Sequence, residues 1–155
     1  MKKTVYVFIA FLLSGIAFAQ SQMDKDFQGY WKLNEISAGG VRINLAKSTV
    51  SFSKERESKM TPQEKNNIQA KKAQVIASLS KSHITVSVNN VDFVIGDMSK
   101  KGVFVIDKHA DAYKLNVAYE DGSTDNMIIY IKDKKLHITK SDDVDRDEMI
   151  FTHGQ

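Results

Sequence analysis

From Ser82 onward, apolar and polar residues alternate with a period of two, the pattern of strands with one buried face. Ile84, Val86 and Val88 share one parity, and the alternation recurs in every later run. Asn89-Asn90, which suits a type I′ turn, and Asp121-Gly122 separate successive runs as hairpin turns. We therefore predict seven strands at about 83–88, 91–95, 103–107, 112–120, 125–132, 136–140 and 147–153, with a loop at 96–101.

The earlier part of the chain predicts one or two strands and a helix. A first strand at about 27–37 contains Trp31, the single tryptophan, and a second is predicted at 49–53. Thr61-Pro62-Gln63-Glu64 is a capping box that opens a helix at about 62–80. The apolar residues of this helix fall on one face: Ile68, Val75, Ile76 and Leu79. This pattern favours packing of the helix against its own domain over a membrane-surface role.

About eight short strands joined by tight turns favour an all-β fold, an antiparallel up-and-down barrel with one helix inserted after the first strands. An open sandwich has the same periodicity and remains an alternative. The predicted interior is a set of mid-sized aliphatic and aromatic side chains: Ile84, Val86, Val88, Phe93, Ile95, Tyr113, Leu115, Val117, Tyr119, Met127, Ile129, Ile131, Leu136, Ile138, Met149 and Phe151.

An eight-stranded barrel is either just filled by its side chains or just able to hold one small ligand. The candidate ligand-binding residues within the predicted interior are Phe93, Tyr113, Leu115, Val117, Tyr119 and Ile129. Tyr113 and Tyr119 are the most informative, because a phenol in an apolar wall can orient a ligand. The alternative is that both are core tyrosines with their hydroxyls near the rim.

The first residues have the pattern of a secretory signal peptide. A basic start is followed by an apolar run that ends in Ala17-Phe18-Ala19, a cleavage signal before Gln20. We predict a signal peptide over 1–19, a flexible leader over 20–26 and a single domain over 27–155. A lipoprotein signal needs a cysteine, which the chain lacks, so the predicted location is periplasmic or secreted.

Charge changes this picture little. Without Lys2 and Lys3, the net charge of +3 falls to +1. Residues 41–82 carry a net charge of +6 and residues 107–155 a net charge of −4. Such asymmetry is usually a solvated surface, and an acidic partner for the basic segment is the alternative.

Candidate chemistry is sparse. The chain has no cysteine, its four histidines lack ligand spacing, and no nucleophile elbow or dinucleotide motif occurs. Asp143, Asp145 and Asp147 have the spacing of a calcium loop, but position 6 is Glu148 rather than glycine. We therefore expect no catalytic residue, no metal site, no cofactor and no nucleic-acid partner.

Gly29-x-Trp31 at the head of the first strand resembles the opening motif of lipocalins and related calycin barrels. The order of strand, capped helix and hairpins is similar to small secreted bacterial lipocalin-like proteins. The resemblance implies that Trp31 closes one end of the barrel beneath an arginine. Arg146 is the matching position for that closure, with Gly29 and Trp31, and Arg42 is the rival. The missing disulfide and the early helix depart from classical lipocalins and put transfer of their ligand pocket in doubt.

These observations predict an exported, non-catalytic, lipocalin-like protein that binds a small hydrophobic or amphipathic ligand inside the barrel. The alternative is a filled barrel that acts as an interaction or scaffold module through its surface. An enzyme in the barrel mouth is the third and weakest hypothesis. No stable membrane insertion is expected after signal cleavage, and no protein partner is indicated.

Overall fold

The computed structural model describes residues 23–140 and 147–154. Within them the chain forms ten strands: β1 (Gly29–Ala38), β2 (Val41–Asn44), β3 (Thr49–Phe52), β4 (His83–Val86), β5 (Asn90–Ile95), β6 (Met98–His109), β7 (Ala112–Tyr119), β8 (Thr124–Lys132), β9 (Lys135–Lys140) and β10 (Glu148–His153). Two helices, α1 (Lys54–Lys59) and α2 (Pro62–Leu79), lie between β3 and β4. A 3₁₀ turn (Lys25–Phe27) precedes β1.

Eight of these strands close into an antiparallel barrel. β4 to β10 pair in chain order, and both β4 and β10 pair with β1. Closure leaves the strands of the barrel few open edges. The predicted all-β fold is therefore confirmed, and the pairing of β10 with β1 excludes the open sandwich.

β1 changes partner halfway along its length. Its first half pairs with β4 and its second half with β2, while β10 follows the other edge throughout. The change falls at Asn34, where the register of β1 against β10 shifts as in a β-bulge. Leu33 N–H still bonds the Ser82 carbonyl, and the Asn34 carbonyl already accepts from Leu45 N–H. The β2–β3 hairpin therefore extends from the barrel wall at one end only.

α2 confirms the predicted capped helix. Thr61 Oγ1 accepts from Glu64 N–H, and the Glu64 carboxylate accepts from Thr61 N–H at 2.7 Å. The helix contacts β3 on one side, and its last residue, Leu79, packs against the barrel core. None of its residues is fully buried, so α2 lies on the barrel as an accessory element.

Three local predictions are wrong. β6 begins at Met98 rather than in the predicted loop, because Gly96, with φ of +60°, permits a tight turn that pairs Ile95 with Met98. α1 was not predicted, since its six residues have no apolar periodicity. The β4–β5 turn centres on Val88 and Asn89, so Val88 is 48% exposed instead of lining the barrel.

The middle of the barrel, which we call the waist, is packed with buried side chains. Inward side chains from all eight strands of the barrel are buried there: Leu33, Ile84, Val91, Phe104, Leu115, Val117, Ile129, Leu136 and Phe151. Leu33, Val91 and Phe104 were missing from the predicted interior. Because the waist is filled, the two ends of the barrel are separate spaces.

Candidate functional site: the two ends of the barrel

One end of the barrel is closed by the segment that precedes β1. Met23 and Phe27 are buried, and the Phe27 ring meets the Tyr113 ring edge-on at 4.9 Å. Residues 20–26 were predicted to be a flexible leader. Within that stretch Met23 is buried and acts as an apolar anchor among polar residues. We call residues 23–27 the N-terminal plug.

Trp31 lies beneath the N-terminal plug. Its indole Nε1 donates to the Phe27 carbonyl at 3.0 Å, and its ring packs against the His153 ring at 4.8 Å. Gly29 precedes it with φ of +122°, and a Cβ there would approach His153 Nε2 to 3.3 Å. The glycine of Gly29-x-Trp31 is therefore needed both for its backbone conformation and for room beside His153.

The resemblance implies an arginine over Trp31, and the two candidates for it are Arg146 and Arg42. Arg146 lies outside the described residues. Arg42 lies opposite Ser37, far along β1 from Trp31, and its guanidinium pairs with Glu35 at 3.3 Å. Arg42 is therefore not the closing residue, and His153 provides a ring contact to the tryptophan.

A polar clamp fixes the N-terminal plug. The Asp24 carboxylate accepts from Lys108 Nζ at 2.9 Å, and Asp24 N–H donates to the Tyr113 hydroxyl at 3.2 Å. The hydrogen bonds from Lys108 and from Tyr113 lower the pKa of Asp24 below its usual 3.8. Tyr113, a candidate ligand contact, thus anchors the closed end.

The other end of the barrel, the mouth, contains an apolar cavity of about 280 Å³. Its walls are mainly aliphatic, aromatic and thioether side chains: Ile36, Ala38, Phe93, Ile95, Met98, Tyr119, Met127, Ile138 and Met149. Of the six candidate ligand-binding residues, Phe93 and Tyr119 lie here. Leu115, Val117 and Ile129 belong to the packed waist.

Polar groups surround this cavity at its rim. Burial and the neighbouring Asp125 carboxylate raise the pKa of the Tyr119 hydroxyl, which therefore stays protonated. Lys100 Nζ lies 4.9 Å from the centre of the Tyr119 ring and pairs with Asp121 at 3.1 Å. Hydrogen bonds from Ser123, together with Lys100, lower the pKa of Asp121 to about 2. This side of the rim is a satisfied charge network.

Lys140 lines the opposite side of the mouth. It lies opposite Met127 and shares the inward parity of Leu136 and Ile138 on β9. Within the described part of the chain, no ion pair or hydrogen bond engages its ammonium group. An apolar cavity with a satisfied rim and one unpaired ammonium can hold a small apolar or amphipathic molecule.

The outer wall carries a cluster that the sequence did not indicate. Glu148 Oε1 accepts from the Tyr130 hydroxyl at 2.7 Å and lies 2.8 Å from His137 Nδ1. The Tyr130 and His137 rings stack at 4.8 Å. Burial and the Glu148 carboxylate raise the pKa of Tyr130 to about 12. Tyr130 and His137 are cross-strand neighbours on β8 and β9, a relation that only the register reveals.

The residues that the structure describes form no metal site at either end of the barrel. Among residues 23–140 and 147–154, no three histidine, aspartate or glutamate side chains are placed to hold an ion. In the same residues, neither helix is long and apolar enough to cross a membrane.

Comparisons with protein-family models, curated proteins and solved structures give no match to this chain. The closed eight-stranded barrel is compatible with the lipocalin-like architecture that Gly29-x-Trp31 resembles. Because none of the comparisons matches, no family is assigned to the chain, and its function is inferred from the geometry of the barrel.

Proposed function

We propose that the protein is an exported, non-catalytic carrier of a small apolar or amphipathic molecule, which it holds in the mouth of the barrel. The observation that carries the proposal is the apolar cavity beside a filled waist. Inward side chains are buried against one another at the waist, whereas the side chains at the mouth leave an apolar cavity between them.

The size of the cavity limits the ligand. At about 280 Å³ it lies just below the usual range for ligand pockets, roughly 300–1,000 Å³. At ~30 Å³ per heavy atom, as in liquid water, it accommodates on the order of ten such atoms. The ligand is therefore a short chain, a single ring system, or the end of a longer molecule whose remainder stays in solvent.

A chain-length series tests this limit. We expect straight-chain primary alcohols to displace 1-anilinonaphthalene-8-sulfonate, with affinity rising about fourfold per methylene, which corresponds to ~0.8 kcal/mol for each buried CH₂. The rise should stop near the length that fills the cavity. Affinities that never rise with chain length would contradict an apolar mouth site. Intrinsic fluorescence is a poor readout, because Trp31 lies at the closed end.

A matched pair of variants locates the site. Ala38 lines the cavity and Ala118 faces outward from β7, and both are exposed positions on strands. We expect Ala38→Trp to abolish probe binding by filling the cavity, and Ala118→Trp to leave it unchanged. Equal loss in both variants would place the probe elsewhere.

A second candidate function, peptide binding by strand addition, is favoured by β6. Val103 and Val105 are more than half exposed, and beyond Phe104 the strand pairs only with β7 among the described residues. An open edge beside apolar side chains is the usual template for an added strand. If this is the function, Val103→Thr/Val105→Thr should lose its partner while still binding the probe at the mouth.

A further inference from the structure

The outer wall of the barrel carries an uncompensated row of lysines. Lys132 on β8 lies directly opposite Lys135 on β9, Lys135 lies opposite Thr152 on β10, and Thr152 lies opposite Lys32 on β1. We call Lys132, Lys135 and Lys32 the lysine row. They sit on one line across four neighbouring strands, spanning about 14 Å at the usual strand spacing of ~4.8 Å.

Alternation along each strand directs the lysine row outward. The adjacent residues Leu136, Phe151 and Trp31 are buried in the barrel, so their neighbours in sequence face solvent. Lys32 and Lys132 are exposed and Lys135 is half-buried. The three ammonium groups therefore share one face of the molecule.

No ion pair in the described part of the chain engages the lysine row. None of the ion pairs formed by residues 23–140 and 147–154 includes Lys32, Lys132 or Lys135. Like charges directly opposite each other on adjacent strands are destabilising, so the Lys132–Lys135 pair opposes folding.

The carboxylates of the same wall are already engaged. Glu35 pairs with Arg42 and accepts from Asn44 at 2.7 Å, while Glu148 is bonded to Tyr130 and His137. These groups lie nearer the mouth and cannot neutralise the row without giving up their partners. Asp133, in the turn between β8 and β9, offsets one charge, and Lys134 beside it restores that charge.

Aromatic side chains border the row. Tyr30 precedes Lys32 by two residues on the same face, is 39% exposed and packs against the His83 ring at 4.9 Å. His83 itself lies opposite Lys32, which continues the row onto β4. Exposed tyrosine beside lysine is the composition that suits a lipid–water interface, where one end of a side chain is apolar and the other is wet.

We propose that the lysine row docks the protein on an anionic phospholipid surface. Each lysine held near such a surface favours binding electrostatically, and Tyr30 adds contact at headgroup level. Docking by this wall is peripheral and needs no insertion of any segment. The proposal does not depend on the contents of the mouth and stands or falls separately from the carrier function.

Vesicle co-sedimentation tests the proposal. The full chain, without added ligand, is mixed with phosphatidylcholine vesicles that contain or lack phosphatidylglycerol. We expect binding only to the anionic vesicles, with loss at high salt because screening weakens the attraction. Equal binding to both vesicle types, or to neither, would overturn the proposal.

Charge-matched variants locate the surface. Lys32→Gln/Lys132→Gln/Lys135→Gln should bind about 100-fold more weakly, at about fivefold per lysine. The control, Lys47→Gln/Lys54→Gln/Lys71→Gln, removes the same charge from the β2–β3 loop and the two helices and should keep nearly all binding. If the control loses as much, the helical lysines or net charge are responsible and the lysine row is not the docking surface.

Two further measurements test whether lost folding or an acidic protein partner explains the results. Because the triple variant of the lysine row lacks the Lys132–Lys135 repulsion, its melting temperature should be unchanged or slightly raised. Weaker vesicle binding by this variant is then not a result of unfolding. Soluble poly-glutamate should compete weakly with the vesicles. If it binds the wild type as tightly as the vesicles and depends equally on the row, the partner is an acidic protein and the membrane proposal fails.

Discussion

The two ends of the barrel are built from the same eight strands and the same alternation, yet they differ in what fills them. At the closed end, the Phe27 ring meets the Tyr113 ring and the Trp31 ring meets the His153 ring, while the Trp31 indole bonds the Phe27 carbonyl and the Tyr113 hydroxyl bonds the Asp24 clamp. At the mouth, apolar side chains line a cavity of about 280 Å³, whereas the pocket of about 580 Å³ beside the plug is bordered by charged side chains such as Asp24 and Lys108. Alternation thus makes an interior, and a separate covering segment decides which side chains, apolar or charged, border the space at each end.

That covering segment is the N-terminal plug, and its effect is local. It adds Met23 and Phe27 to one end of the core, beyond the reach of the strands. Among the described residues, α2 packs Leu79 against the core and contributes no side chain to the lining of the mouth. Stability should therefore be concentrated at the closed end and ligand binding at the mouth.

The largest expected effect is on Trp31. Trp31→Ala should lower the free energy of unfolding by about 3–5 kcal/mol, because it removes a buried ring and leaves the Phe27 carbonyl without its donor. Urea denaturation measures the change. A loss below ~1 kcal/mol would show that the closed end is not the stable end.

How far the sequence predicts this contrast depends on the residue. The strands and the inward parity of Tyr113 and Tyr119 follow from alternation, and both tyrosines are buried, whereas closure into a barrel is shown only by the pairing of β10 with β1. Alternation does not predict that the two tyrosines lie at opposite ends of the barrel, because it gives them the same inward parity. They lie near the start and at the end of the same strand, β7. Only pairing with neighbouring strands shows that one meets Asp24 and the other lines the mouth.

The missed features have a common physical cause. Met23 is a single apolar residue in a polar stretch, and α1 is a polar helix that begins where Ser53 Oγ accepts from Arg56 N–H. Neither contains the repeated spacing from which elements are predicted. The alternation of apolar and polar residues also cannot predict the cavity at the mouth, because the cavity depends on how side-chain volumes meet across the barrel.

Next in size is a paired truncation of methionine. Met23 in the N-terminal plug is 2% exposed, while Met98 at the mouth is 67% exposed. Met23→Ala should cost about 2–5 kcal/mol, and Met98→Ala should change stability by no more than about 0.5 kcal/mol. Similar losses from the two variants in urea denaturation would remove the proposed division between the ends.

A smaller contrast comes from removing one hydroxyl at each end. Tyr113→Phe breaks the bond with Asp24 and should cost about 0.5–1.5 kcal/mol. Tyr119→Phe keeps its ring in the cavity wall and removes a hydroxyl at the rim, so it should cost less. It should instead alter probe binding at the mouth, which Tyr113→Phe should leave unchanged. Fluorescence titration and thermal unfolding of both variants measure the two effects.

The smallest expected effect is the pH dependence of the Asp24 clamp. Because Lys108 and Tyr113 lower the pKa of Asp24 in the folded state, its contribution to stability is fully present above the usual value of 3.8 and is lost as pH falls through the lowered value. Asp24→Asn should therefore lose less stability than the wild type on acidification below about pH 4, as measured by urea denaturation across that range. Glu55→Gln is the matched control, since the pKa of Glu55 is likewise lowered, by Lys59, in an exposed pair on α1. If the two variants differ equally from the wild type, the acid response belongs to exposed ion pairs in general. A response confined to Asp24→Asn assigns it to the clamp, and so to the closed end of the barrel.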